Sequence, residues 1–487
     1  MLLRKSVVRV GIVGATLAAV ALGLAAGCGP SPGAAGAERR SGATTPAQVG
    51  ASAPPSGSAA ALPGAGAGRL VEDDVPRAVR EAARDHKLLL VEAWAPWCHT
   101  CLSMRNYVLP DPLVSALADR VLFAAIDTDR PQNADFVARY PVEAWPTFFV
   151  IDPARDELLG HWQGSLSAAE LRQQLLDAID QRDAKLDPTG AVAALLEGKR
   201  ATARGDGAAA AAAYERALQQ AAGSGRRWGR RSEAEGGLIA AEHAAQHWQR
   251  CAELGIDHLP AITGSSLPAD TAYLVLECAS KLGASELAAQ ARAAAIVRLR
   301  EHTAHPPAGS SVDDRADALD TLSDALRELG QTEEANELTR ERLALLEQAA
   351  RAAPTPEMAA TFDYGRMNAY LALGRGEEAL GMLQDRIRQL PDSYEPRARL
   401  GEALDKLGRS AEALAAIDGA LARAYGPRKL RYLRLRADLL GKLGRAAEQH
   451  EALRALVGAY DALPHADRDA RRYRELIDKA RAELAPK

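Results

Sequence analysis

Large rings are scarce in this chain. Aromatic residues make up 5% of its 487 positions, so aromatic side chains cannot fill its core. Alanine is abundant instead, and that combination favours helices packed closely through small residues. Charge of one sign is also lacking. The formal net charge is −4 with acids and bases interleaved, and the absence of a basic stripe excludes nucleic acid as a partner. There are only five cysteines, Cys28, Cys98, Cys101, Cys251 and Cys278. An odd, unevenly spaced set excludes a disulfide scaffold. Beyond the first thirty residues no stretch is apolar and long enough to span a bilayer. What remains is 47% apolar and 25% charged, the balance of a soluble globular protein, with length for two or three domains.

The first 28 residues read as an address. Arg4, Lys5 and Arg9 precede an apolar run from Val10 to Ala26, too short for a comfortable span and ending in small residues, as a signal peptide does. The end, Leu24-Ala25-Ala26-Gly27-Cys28, resembles the lipobox of bacterial lipoproteins, with Ala25 where leucine is usual. That resemblance implies lipidation of Cys28 and a protein of the bacterial cell envelope, facing the periplasm and held on a membrane by its acyl chains. Residues 29–68 are almost entirely Gly, Ala, Pro, Ser and Thr. They cannot bury enough apolar surface to fold, and read as a disordered tether with a reach of roughly 35 Å.

Residues 69–182 read as α/β. Asp74 and Pro76 open a helix through Arg84. Leu88 to Trp94 is a near-continuous apolar run, as in a strand buried on both faces. A helix follows from Cys98 towards Val108. Then come a strand over 121–126, a helix over 132–140, strands over 147–151 and 158–162, and a helix opened by the capping box of Ser167 and Glu170. The pair Cys98-His99-Thr100-Cys101 stands where the buried strand turns into a helix. A lone C-x-x-C could be half a zinc site, but no second close Cys or His pair completes one. At a helix start the free N–H groups and the dipole would stabilise a Cys98 thiolate, with Cys101 one turn further in. Glu92 is a lone carboxylate in an otherwise apolar strand, costly unless it has a task or an ion-pair partner. Pro146 stands just before a strand, where proline cannot donate to a ladder.

Together V-E-A-W-A-P-W-C-H-T-C, the strand end Ile126-Asp127-Thr128-Asp129 and W-P-T resemble the thioredoxin superfamily in order and spacing. The match covers roughly 69–180. It is most similar to the periplasmic C-terminal domain of thiol:disulfide interchange reductases, with Val108-Leu109-Pro110-Asp111-Pro112-Leu113-Val114 supporting that sub-family. The resemblance implies a mixed sheet with flanking helices, Cys98 as attacking thiolate and Cys101 as resolving thiol. It also implies Glu92 as proton acceptor and donor for Cys101, and Pro146 as a cis-proline facing the disulfide. Trp97, His99, Trp145 and Thr147 would border the substrate groove. Trp97 and Trp145 can equally be packing residues, and His99 either a solvated helix-start residue or a cation beside the thiolate. Two positions depart from the family: Leu102, where lysine is frequent, and Trp145, where Thr, Val or Ile is usual. No metal and no cofactor are implied.

From 189 to 487 the text becomes helix after helix. The phrase Leu-Gly recurs at Gly283, Gly330, Gly374, Gly408 and Gly444. The last two steps are 34 and 36 residues. Glycine suits the turn of a helical hairpin because it accepts positive φ, and alanine just after it lets helices approach. This resembles the tetratricopeptide repeat, an all-α solenoid. The best units carry Leu400, Gly401, Leu404, Ala413 and Ala420, and Gly198, Tyr214 and Ala217. Stacked pairs would present a concave face to a peptide or protein. Cys251 and Cys278 fall on neighbouring helices, where they either pair or remain small buried residues.

Two functions compete. One is a membrane-tethered thiol–disulfide oxidoreductase acting on protein thiols and disulfides, with the repeats docking partners or clients. The absence of a span then requires a membrane electron donor or redox partner protein. The other is a non-enzymatic envelope scaffold built on the repeats. The complete set Cys98, Cys101, Glu92 and Pro146 favours the first.

Overall fold

The computed structural model describes residues 60–61, 69–183, 190–223, 228–468 and 471–485. The address over 1–28, including Cys28, lies outside the described residues. So does the tether over 29–68, except that Ala60–Ala61 forms a short strand, β1, antiparallel to β2, Arg69–Glu72. The outer edge of β2 offers unpaired N–H and C=O groups, and β1 takes them up. Strand β2 is not legible in the sequence, because four residues carry too little alternation to declare one.

The first domain then runs α1 Val75–Arg84, β3 Leu88–Trp94, α2 His99–Ser103, α3 Pro112–Ser115, β4 Val121–Asp127, α4 Ala134–Arg139, β5 Thr147–Asp152, β6 Glu157–Gln163 and α5 Ala168–Arg182. The sheet order is β1-β2-β4-β3-β5-β6. β3 is central, parallel to β4 and antiparallel to β5. Six of its seven residues are buried, as a strand covered on both faces requires. Leu88, Leu90, Phe123 and Phe148 pack under α5 on one side. Leu89, Val91, Ile126 and Phe149 pack under α1 and α4 on the other. The motif helix is not α-helical throughout: residues Met104–Val108 form a π turn.

The second domain is a row of helical hairpins. The pairs are α6 Ala191–Ala203 with α7 Gly207–Gly223, α8 Arg231–Ala244 with α9 Trp248–His258, α10 Leu267–Lys281 with α11 Glu286–Ala304, and α12 Val312–Glu328 with α13 Thr332–Ala352. After the short α14 Pro356–Ala360 come α15 Asp363–Ala372 with α16 Gly376–Gln389, α17 Glu395–Lys406 with α18 Ser410–Leu421, and α19 Arg428–Lys442 with α20 Ala446–Asp461. The short α21 His465–Arg468 and α22 Arg471–Leu484 close the chain. All five Leu-Gly glycines sit at hairpin turns with φ between 65° and 77°, the left-handed region where a Cβ is penalised. Gly198 and Gly401 do a different job. A Cβ would come 2.7 Å from the Tyr214 ring at the first and 2.6 Å from Ile417 at the second. Their bare backbones are what let paired helices touch. Cys251 and Cys278 are joined by a disulfide linking α9 to α10. No described helix is long and apolar enough to cross a membrane.

Candidate functional site

The turn from β3 into α2 carries the redox pair. Cys98 is the N-cap of α2, and its Sγ accepts the backbone N–H of Cys101 at 3.0 Å. Cys98 and Cys101 are bonded to each other. Cys98 is 6% exposed and Cys101 fully buried. In this position a reduced Cys98 meets an N–H donor and the positive end of α2, both of which favour its thiolate. Cys98 is thus the more exposed of the two sulfurs and the one at the helix start.

Glu92 lies on β3 with no exposure, and neither carboxylate oxygen has a hydrogen-bond partner. Burial pushes its carboxyl up to about 8, opposed in part by the Arg105 guanidinium. Arg105, in the π turn, stacks on the Trp94 ring at 3.9 Å and pairs with Glu72. Arg105 is not legible as a site residue in the sequence, because its closeness to Glu92 depends on how that turn packs on β3. A carboxyl neutral at pH 7 and ionised not far above it is suited to exchanging a proton near neutrality.

The Trp145-Pro146 peptide is cis, and Pro146 is buried. Trp145 and Trp97 meet edge to face at 5.1 Å, packed against the disulfide. Both indoles are fixed by hydrogen bonds: Trp145 Nε1 donates to Thr128 Oγ1 at 2.8 Å and Trp97 Nε1 to Asp129 Oδ2 at 2.8 Å. The unusual Trp145 is therefore anchored to the end of β4. Thr147 is buried and donates to the Ala144 carbonyl.

The repeats reach this rim, which the sequence did not reveal. His99 Nδ1 is 2.9 Å from Asp313 Oδ1 on α12, and its ring stacks on Tyr364 of α15 at 5.3 Å. Asn106 donates to Thr361 Oγ1 at 3.0 Å. Ser165, just past β6, bonds Asp314, and Ser266 donates to the Ser165 carbonyl at 3.0 Å. Tyr425 donates to Asp127 Oδ2 at 2.5 Å, and the Arg428 guanidinium lies 4.2 Å from the Trp97 ring centre. These partners cluster where the first helix of a hairpin begins. In the sequence, Asp313 and Asp314 look only like helix-start residues, and Asp314 does close a capping box with Ser311. Their second role is visible only in three dimensions.

One cluster has the geometry of a cation site. One ring nitrogen of His99 and an oxygen from each of Asp313 and Asp317 lie within 4.8 Å of one another. The imidazole and the Asp313 carboxylate already satisfy each other, so nothing in the cluster is left without a partner.

The fold and these residues define a thioredoxin domain, and the thioredoxin family model matches residues 73–177. A thioredoxin H-type from Populus jackii is 33% identical over 82 residues, 16% of this chain and 55% of that protein. The chain thus spans about half the length of this relative. Among solved structures, a tetratricopeptide repeat protein from Parabacteroides merdae covers 60% of this chain and 98% of its own, at 11% identity and a TM-score of 0.38. A thermophilic tetratricopeptide repeat protein of Thermus thermophilus covers 52% of this chain and 99% of its own, at 21% identity and a TM-score of 0.27.

Proposed function

We propose that this protein is a thiol–disulfide oxidoreductase of the bacterial cell envelope, anchored through a lipid on Cys28, whose clients are protein thiols and disulfides. The observation that carries the chemistry is Cys98 at the start of α2, its Sγ accepting the Cys101 N–H, together with a fully buried and unpartnered Glu92 on the strand that leads to it. Reduced Cys98 attacks a client disulfide sulfur as thiolate. One client sulfur leaves as a thiol, and a mixed disulfide to Cys98 forms. Cys101, deprotonated with the help of Glu92, then attacks Cys98 Sγ and releases the second client thiol. Two protein thiols become a disulfide and one client disulfide becomes two thiols; the reverse sequence oxidises a client. Pro146 and Trp145 border the groove where an extended client segment would lie. A membrane redox partner would restore the starting state, and the repeats would dock partners or clients.

The test is trapping. Cys98→Ser should abolish exchange, whereas Cys101→Ser should accumulate mixed disulfides, because attack proceeds and resolution does not. A wild type that exchanges with no model disulfide, together with a Cys101→Ser variant that traps nothing, overturns the enzyme reading. The scaffold reading would take its place, since the redox rim is packed against the repeats.

A further inference from the structure

Arg428 opens α19, and its guanidinium lies over the indole of the residue that precedes the attacking cysteine. Its hydrogen bond is to Tyr432 Oη at 3.4 Å. Among the described residues no carboxylate pairs with it. Glu402, the nearest candidate on α17, is taken by Arg431 at 3.0 Å. A second guanidinium shares the surroundings of Glu395 with it. Arg399 on α17 is 6% exposed, and its Nη2 has no hydrogen-bond partner. Glu395 lies close enough to feel both cations, yet burial pushes its carboxyl above the usual range, which weakens it as a counter-ion. A guanidinium taken out of water without a paired carboxylate is costly to keep; the charge of Glu402 and stacking on Trp97 offset part of that for Arg428. The planar fork of arginine matches a carboxylate in two parallel hydrogen bonds.

Resting on the oxidoreductase reading, we propose that Arg428 is a specificity-determining residue that binds a carboxylate next to the sulfur of the client. Trp97 immediately precedes Cys98 and packs against the disulfide, so a group held on the indole stands on the rim of the redox pair, in reach of a client whose sulfur is under attack. The substrate class is therefore a thiol or disulfide with a carboxylate within a residue or so of its sulfur. Such a group belongs either to a small thiol peptide of the glutathione kind or to a protein cysteine with an acidic neighbour.

The experiment compares matched pairs. Full-length protein in detergent is reduced, desalted and mixed with 3,3′-dithiodipropionate or its diamide, which share size and differ in charge. Oxidation is followed by tryptophan fluorescence in stopped flow. A thiolate is repelled by an anionic disulfide, so without a cation the diamide reacts faster. The proposal expects the dicarboxylate to react about threefold to tenfold faster with the wild type, Arg428→Met to remove that preference, and Arg428→Lys to keep part of it. Oxidised glutathione, and disulfide peptides with Glu or Gln beside the cysteine, form the second arm. Preference for the first identifies a small thiol as the source, and a Glu-over-Gln preference a protein segment. Equal rates within the wild-type pair, or a preference that survives Arg428→Met, overturn this proposal alone. No reaction with either member overturns the redox reading and this one with it.

Discussion

Glu92 is completely buried and its carboxylate has no hydrogen-bond partner, so desolvation is the largest influence on its ionisation, opposed in part by Arg105. Its folded value of about 8 stands above the reference 4.5. Below the reference value both folded and unfolded chains hold the proton. Between the two, the folded state keeps a proton the unfolded chain has lost, so stability falls as pH rises, at about 1.4 kcal/mol per unit. Above the folded value that loss is complete. Glu92→Gln keeps the shape and removes the slope. The variant should approach the wild type in denaturation midpoint near pH 5 and exceed it near pH 8. In single-turnover kinetics it should prolong the mixed disulfide and leave the first attack unchanged, because the Cys98 thiolate is held by the start of α2. Parallel stability curves and unchanged resolution would make Glu92 a structural residue only.

At the scale of elements, the junction of α19 with the end of β4 decides how the repeats sit on the redox rim. Gly426, two residues before Arg428, has φ +59°, and a Cβ there would meet the Asp129 carbonyl oxygen at 2.0 Å. That obstacle is backbone and cannot turn aside like a side chain. The hairpin-turn glycines, by contrast, have nothing within 4 Å of an added Cβ and carry only the conformational constraint. Gly426→Ala should therefore lift the start of α19, weakening the Tyr425–Asp127 bond and the Arg428–Trp97 stack. A loss of about 1–3 kcal/mol is expected, with faster alkylation of reduced Cys98 by a bulky maleimide. An unchanged alkylation rate and an unchanged denaturation midpoint would show that the junction does not shield the site.

At the scale of the whole molecule, the redox domain and the repeats share an interface of ion pairs, hydrogen bonds and stacked rings around the active rim. Under the proposed function the repeats would be part of the environment in which exchange occurs, and a client would meet both domains at once. The proposed anchor is separate from all of this. No described helix offers a second way into a bilayer, and several acyl chains bind at about 0.8 kcal/mol per buried CH₂. Cys28→Ser should therefore move the protein from the membrane fraction to the soluble one without altering its exchange kinetics. Continued tight membrane association of that variant would overturn the lipid anchor.

The sequence by itself determined what depends on local pattern. Buried strands announced themselves as apolar runs, hairpin turns as Leu-Gly, and the redox pair as two cysteines at a strand-to-helix turn. Strand β2 escaped because four residues are too few to show a period, and the π turn because no residue type marks it. The tertiary structure alone decided the surroundings of the site. Arg105 beside Glu92, Asp313 on His99 and Arg428 over Trp97 join positions far apart in the chain. Each of these side chains has an ordinary local role in its own turn or helix, and chemistry at a distance follows from where the packing of helices and sheet carries it.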